Sequence, residues 1–400
     1  MKTLPKLIRA VVLIAAGVAM LAPSPDASSE HFVIVNNSDS YMGGAGNNYG
    51  TVLKLGGTKN NPVLSQAASL ATGEPSPWGG GSYAPLVQVV AAGSDICVFM
   101  TELYGTVGTS EISAFKYPGM TLVGNYGNSI GSGVIVASGG YLFASYYYEM
   151  GAWKIGEGCS LTQAGMYSAS YGDASDMAAT PDGKTLAVSA HGSGGCCLYS
   201  WSISTGGALT EHGPYYITGV LPWGVDVTAD SKFALFDVQG YGPPYDDGDT
   251  EIDVLAINSD GSLGEEYAFG GDNSLGTAYS GGWIHLSPDE EFLFVTDDEQ
   301  SINTVNFSEN PVNITWSGCL TKLRIPKGDS GLANGSIAAA GTVGTGSAIY
   351  VSEQYEFSSV ALLNINSLTG CTTEAESSPF VLSDTTAKAW SLVAWPPRLF

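Results

Sequence analysis

The sequence predicts an all-β chain folded as a seven-bladed β-propeller, and three observations carry that expectation. A strand–turn–strand unit recurs: 177–191 reads MAATPDGKTLAVSAH, 225–239 reads VDVTADSKFALFDVQ and 284–298 reads IHLSPDEEFLFVTDD. Such units return about every 45–60 residues, the signature of a repeat architecture. Further short apolar runs lie between them, joined by turns such as Asn258-Ser259-Asp260-Gly261 and Asn366-Ser367-Leu368-Thr369-Gly370. Each complete unit then holds about four strands, a to d, as a propeller blade does. Lastly, the chain ends complement each other. HFVIVNNS (31–38) matches the b strands and has no a strand before it; AWSLVAWPP (389–397) matches the a strands, with Trp390 standing where Trp223 and Trp283 stand. The C-terminal strand should therefore close the first blade and leave no open inner edge.

The strands follow in order. In the first unit HFVIVNNS pairs with GTVLKL (50–55) across a Gly-rich loop at 43–50, and 58–83 supplies an outer strand and linker. The second unit holds VQVVAAGSDICVFMTE and EISAFKYPGMTLVGNY, with Pro118-Gly119 as a turn. The third runs VIVASGGYLFASYYY, then GAWKIGEGCSLTQAGMY. In the fourth, Thr180-Pro181-Asp182-Gly183 makes the a–b turn: Pro pre-sets its φ, and Gly takes φ > 0 without strain. The fifth, sixth and seventh end in EIDVLAINSDGSLGEEY, INTVNFSENPVNITWSGCLTKL and SVALLNINSLTGCTTEAE.

Lys2, Lys6 and Arg9 precede an apolar run at 10–22, about 13 residues long, which reads as a secretory signal peptide with cleavage between 22 and 29. The run is short for a membrane span. Residues 30–400 read as one exported domain, secreted or periplasmic and monomeric. With 14 basic against 38 acidic residues the formal net charge is −24, which makes nucleic acid and anionic membranes poor partners. Six cysteines (Cys97, Cys159, Cys196, Cys197, Cys319, Cys371) allow up to three disulfides in about 15 pairings, a vicinal Cys196–Cys197 bridge among them. Their spacing matches no zinc pattern.

TPDGKTLAV, SPDEEFLFV and LLNINSLTG resemble the repeats of the seven-bladed lactonase-like propeller family, to which the propeller type of 6-phosphogluconolactonase belongs, over most of 31–397. The resemblance implies the fold and, as an activity, lactone hydrolysis. The Ser/Thr-Pro-Asp turn is complete in two units and reduced to Thr-Ala-Asp at 228–230. A phosphorylated lactone calls for Arg or Lys at its phosphate. The arginines beyond the leader are Arg324 and Arg398, neither on the expected site, so a neutral or cationic ligand fits better.

Aligning the b strands puts one residue per blade just past the strand end on a single face: Ser38, Glu102, Tyr147, His191, Gln239, Asp298 and Gln354. Asn36, Asn37, Thr101, Tyr146, Asp237, Asp297 and Glu353 stand beside them, and Asp176, Asp226 and His285 lie near the channel, His285 as a packed inner-strand residue. In a hydrolase, His191 would be the base, with Asp298 or Glu353 orienting it or binding a metal. Glu102, Tyr147, Gln239, Asp297, Gln354 and Asp176 would bind the ligand. The same residues would equally serve to satisfy loop backbone groups. The stretch YDDGDTEID, read as a loop, offers Asp246, Asp247, Asp249, Glu251 and Asp253 to Ca²⁺. A ligand-binding or scaffold module, a lactone hydrolase and a carbohydrate-binding surface protein are the functions these features allow.

Overall fold

The computed structural model describes residues 31–38, 46–58, 61–76, 87–101, 112–127, 134–146, 148–191, 197–215, 220–240, 250–270, 282–297, 301–324, 337–343, 346–353, 359–383 and 388–396. The leader at 1–29 lies outside them. Seven antiparallel sheets form. From inner to outer strand, blade 2 runs Val87–Ala92, Asp95–Thr101, Ile112–Tyr117 and Thr121–Tyr126. Blade 3 runs Ile135–Ser138, Tyr141–Tyr146, Glu149–Ile155 and Leu161–Ser168, and blade 4 Asp173–Ala179, Thr185–His191, Leu198–Ile203 and Leu209–Tyr215. Blade 5 has Val220–Val227, Phe233–Gly240, Thr250–Ile257 and Leu263–Gly270; blade 6 has Ile284–Leu286, Phe292–Asp297, Ser301–Glu309 and Val312–Lys322. In blade 7, Ile337–Val343, Gly346–Glu353 and Ser359–Ile365 are followed by a divided outer strand, Thr372–Glu374 and Phe380–Val381.

Blade 1 is closed from the far end of the chain. Its inner strand is Lys388–Trp395, paired antiparallel with Phe32–Ser38 in the register Phe32↔Trp395 and Val35↔Leu392. Gly46–Thr58 and Asn61–Ser76 complete it. The Gly-rich stretch expected to be a loop to residue 50 is thus strand from Gly46 onward, because Asn48 and Tyr49 continue the ladder opposite Ser38 and Asn37. The inner strands touch in cyclic order, blade 7 against blade 1 and blade 1 against blade 2 included, so the ring shuts.

Seven apolar cores hold it, each between two neighbouring blades. Phe32, Ile34 and Val52 of blade 1 meet Val98, Phe115 and Tyr117 of blade 2, with Phe32 stacked on Tyr117 at 4.2 Å. Val33, Val35 and Leu53 turn the other way, to Val360 and Leu362 of blade 7. Successive side chains point to opposite faces of a strand. A blade buried on both faces therefore needs a run without alternation, which is why FVIV, TLAV and FLFV are unbroken.

The a–b turn explains the decayed motif. In blade 4 the Thr180 amide donates to the Thr185 carbonyl (2.9 Å) and the Thr180 hydroxyl to Asp182 (2.8 Å). In blade 5 the Thr228 amide donates to the Phe233 carbonyl (3.0 Å) and its hydroxyl to Asp230 (3.0 Å). The hydroxyl–carboxylate pair carries the turn, so Ala229 can replace Pro.

The c–d turns also dock on the preceding blade. Cys159 at the turn of blade 3 is bonded to Cys97 in blade 2, and Cys371 at the turn of blade 7 to Cys319 in blade 6. Cys197 is also disulfide-bonded; Cys196 falls outside the described residues. Elsewhere a glycine makes the approach. Gly370 has φ +67°, and a Cβ there would sit 2.3 Å from the Phe292 ring of blade 6. Gly370→Ala combines left-handed strain with overpacking, and about 2 kcal/mol of lost stability is expected in urea unfolding.

Candidate functional site

The b strands of all seven blades run the same way and end on one face, where the chain also enters each inner strand. The backbone of Ser38, His191, Gln239, Asp297 and Glu353 lies at these ends. Glu102, Tyr147, Asp298 and Gln354 follow directly after Thr101, Tyr146, Asp297 and Glu353 and fall outside the described residues. Of the seven rim positions that the sequence aligned, Ser38, His191 and Gln239 are thus described, each at a b-strand end.

Two residues deeper on the same strands lies a buried polar layer that sequence reasoning saw only in part. It contains Asn36, Ser145, Ser189, Asp237 and Thr296. The Asn36 amide donates to the Thr101 carbonyl of blade 2 (3.1 Å), the Ser189 hydroxyl to the Trp223 carbonyl of blade 5, and Asp237 accepts the Gly282 amide at the entry to blade 6. Ser145 meets the Tyr171 hydroxyl at 3.2 Å, and Thr296 accepts the Trp283 amide at 2.8 Å. Four of the five thus fasten a blade to its successor, and Thr296 fixes the entry strand of its own blade. The b-strand ends stand above this hydrogen-bonded layer. Its signal in the sequence is a small or polar residue interrupting an apolar b strand two positions before its end.

The inner strands carry a related device. Asp176 accepts the Met177 amide (2.7 Å) and the Val225 amide of the next blade (2.9 Å). Burial pushes its carboxyl well above the usual range and the charge of Asp226 adds to this, while the two amide bonds oppose it. Asp226 accepts the Val227 amide (2.8 Å) and the Leu286 amide of blade 6 (2.8 Å). His285 lies on an inner strand as expected, its side chain 24% exposed, with Nδ1 at 3.1 Å from Asp226 Oδ2. Trp223, within the inner strand of blade 5, and Trp283, at the entry to that of blade 6, meet edge to face at 6.3 Å.

Of the five residues offered to calcium, Asp246, Asp247 and Asp249 fall outside the described residues. Glu251 and Asp253 lie not on the loop YDDGDTEID but, as the strand reading of EIDVLAI expects, on one face of the strand Thr250–Ile257. Asp253 is 1% exposed, and neither carboxyl oxygen has a hydrogen-bond partner. Burial raises its pKa to about 8, helped by the charges of Glu251, Glu266 and Asp237. Asp237, with Oδ1 unpartnered, is likewise pushed up to about 8 by burial, against the opposing Gly282 hydrogen bond. Among the described residues no group of three His, Cys, Asp or Glu side chains is arranged to hold a metal, and no helix is long and apolar enough to cross a membrane.

No family model and no curated protein matches the sequence. Solved structures do match in fold. A structure described as a candidate 6-phosphogluconolactonase from Bacteroides uniformis aligns with TM-score 0.66 at 12% identity, over 90% of this chain and 99% of its own. A second protein so described, from Bacteroides fragilis, gives 0.63 at 16% identity over 93% and 99%. The periplasmic gluconolactonase of Pseudomonas aeruginosa gives 0.59 at 14% identity over 90% and 100%. The chain has the seven-bladed propeller fold of these lactonase-like structures.

Proposed function

We propose that this protein is an exported propeller that holds a small neutral or cationic ligand at the rim formed by the seven b-strand ends. The observation that carries the reading is the convergence of those ends above a buried polar layer, which gives the rim residues a fixed footing. Charge supports the ligand class. The net charge is −24, and Arg324, the one described arginine, is spent on the outer wall, where its Nε lies 3.2 Å from Glu374 of blade 7. The reading is tested by thermal-shift titration with uncharged sugar lactones, organic cations and sugar phosphates. Stabilisation by members of the first two classes, lost in His191→Ala/Gln239→Ala, is expected; stabilisation by sugar phosphates alone would overturn it.

A second reading is hydrolysis of a lactone or cyclic ester. His191 at the rim supports it as a base, with Asp298 or Glu353 to orient it, and so does the fold shared with a gluconolactonase whose name carries no phosphate. A Ca²⁺ ion on Asp253 and Glu251 is a further part of the proposal, supported by the two bare oxygens of Asp253.

A further inference from the structure

Asp226 and His285 form a pair that the blade-to-blade fastening does not require. The neighbouring latch shows this. Asp176 occupies both of its oxygens with backbone amides, from its own blade and from Val225 of the next, and no histidine takes part. Asp226 makes the same two kinds of bond, to Val227 and Leu286, and additionally receives His285. The Leu286 amide it caps belongs to the inner strand of blade 6, so the pair stands on the wall of the central channel. The register places it away from the rim: Asp226 is opposite Leu235, whereas the rim residue Gln239 is opposite Leu221. Four residues of strand separate the two levels, about 13 Å at the usual rise.

The chemistry follows from which nitrogen is engaged. A carboxylate accepting from Nδ1–H fixes the ring orientation and the tautomer, and leaves Nε2 with a free lone pair. We propose that the Asp226–His285 pair is a general base in the channel wall, acting on an ester or lactone that enters from the end opposite the rim. The proposal rests on the hydrolytic reading and moves its base from His191 to His285. Nε2 takes a proton from water as the water oxygen bonds to the carbonyl carbon and the π pair moves onto the carbonyl oxygen. Collapse of that intermediate breaks the acyl–oxygen bond, and the leaving alkoxide recovers the proton from Nε2. The sum is ester and water giving acid and alcohol. His285 is the catalytic residue and Asp226 the positioning residue.

The test uses p-nitrophenyl acetate and the full chain. His285→Gln is expected to lower kcat/KM about 100-fold, with His212→Gln, on an outer strand, unchanged. Asp226→Asn is expected to lower kcat about tenfold and to move the His285 ring toward the Nε2–H tautomer in ¹⁵N NMR, a shift that a merely structural aspartate would not cause. A loss of tenfold or more in His285→Gln supports the assignment, and a smaller one overturns it. If the loss follows His191→Asn while His285→Gln is silent, this proposal fails and the rim reading stands. If the wild-type protein does not hydrolyse the ester, both fail.

Discussion

Replacing both Cys97 and Cys159 by alanine is expected to lower the stability of the folded protein by about 4 kcal/mol, the chain-entropy value for a closed loop of that size. The bond spans 62 residues and the second described bridge, Cys319–Cys371, spans 52; removing the latter should cost about the same. Both join a c–d turn to the blade before it, so each restrains an interface between blades rather than one sheet. Urea unfolding of the two double variants measures the effect, and a loss below about 1 kcal/mol would show that the apolar cores hold those interfaces unaided. The bridges should differ in access. Cys97 and Cys159 are buried, whereas Cys319 and Cys371 are partly exposed. Mild reductant without denaturant, followed by alkylation and mass mapping, should label the second pair first.

These bridges also mark where the sequence stopped being informative. It admitted many pairings for six cysteines, because a pairing depends on which turn docks on which blade. The blades themselves were legible from local signals: two buried faces impose unbroken apolar runs such as FVIV and FLFV, and a hydroxyl and a carboxylate two residues apart impose the a–b turn. Ring closure was legible as well, since a b strand without an a strand at one end and an a strand without a b strand at the other admit one solution. Of the rim, the strand-end positions of Ser38, His191 and Gln239 were legible. The layer beneath it was legible only at Asn36 and Asp237, and its fastening role at none, because Ser189 and Asp237 look like ordinary polar interruptions until Trp223 and Gly282 of the next blade stand opposite them. Residues 251–253 read both as the end of an acidic loop and as the start of the strand EIDVLAI, because carboxylates disfavour strands. Burial between blades overrode that preference at Glu251 and Asp253.

Asp253→Asn is expected to stabilise the protein at neutral pH and to flatten its stability profile between about pH 4 and pH 8. The sign follows from linkage. Asp253 and Asp237 have folded pKa values raised to about 8, whereas an unfolded aspartate titrates near 3.9. Between those values the folded state holds a proton at each group that the unfolded state has released. Each group therefore makes its full contribution below about pH 4 and loses about 1.4 kcal/mol per pH unit up to about pH 8. Asp182, Asp230 and Asp260 act in the opposite sense. Partial burial opposes ionisation of Asp182 and Asp230, but hydrogen bonds from Lys184 and Thr180, and from Lys232 and Thr228, outweigh it, and bonds from Ser262 hold Asp260 low. Their contribution disappears only as pH falls below about 4, so the two sets act in separate windows. An amide in place of the Asp253 carboxyl removes one of the two slopes, and the gain over wild type should grow to several kcal/mol by pH 8. Calcium separates the two ways of compensating this buried group. If Asp253 takes the cation, millimolar Ca²⁺ raises the wild-type Tm most at high pH, where the competing proton is gone, and leaves Asp253→Asn unmoved. If the proton alone neutralises it, Ca²⁺ shifts neither protein and the slope remains. A wild-type profile already flat across this window would mean that neither carboxyl is held neutral, and the stabilising effect of the asparagine would vanish with it.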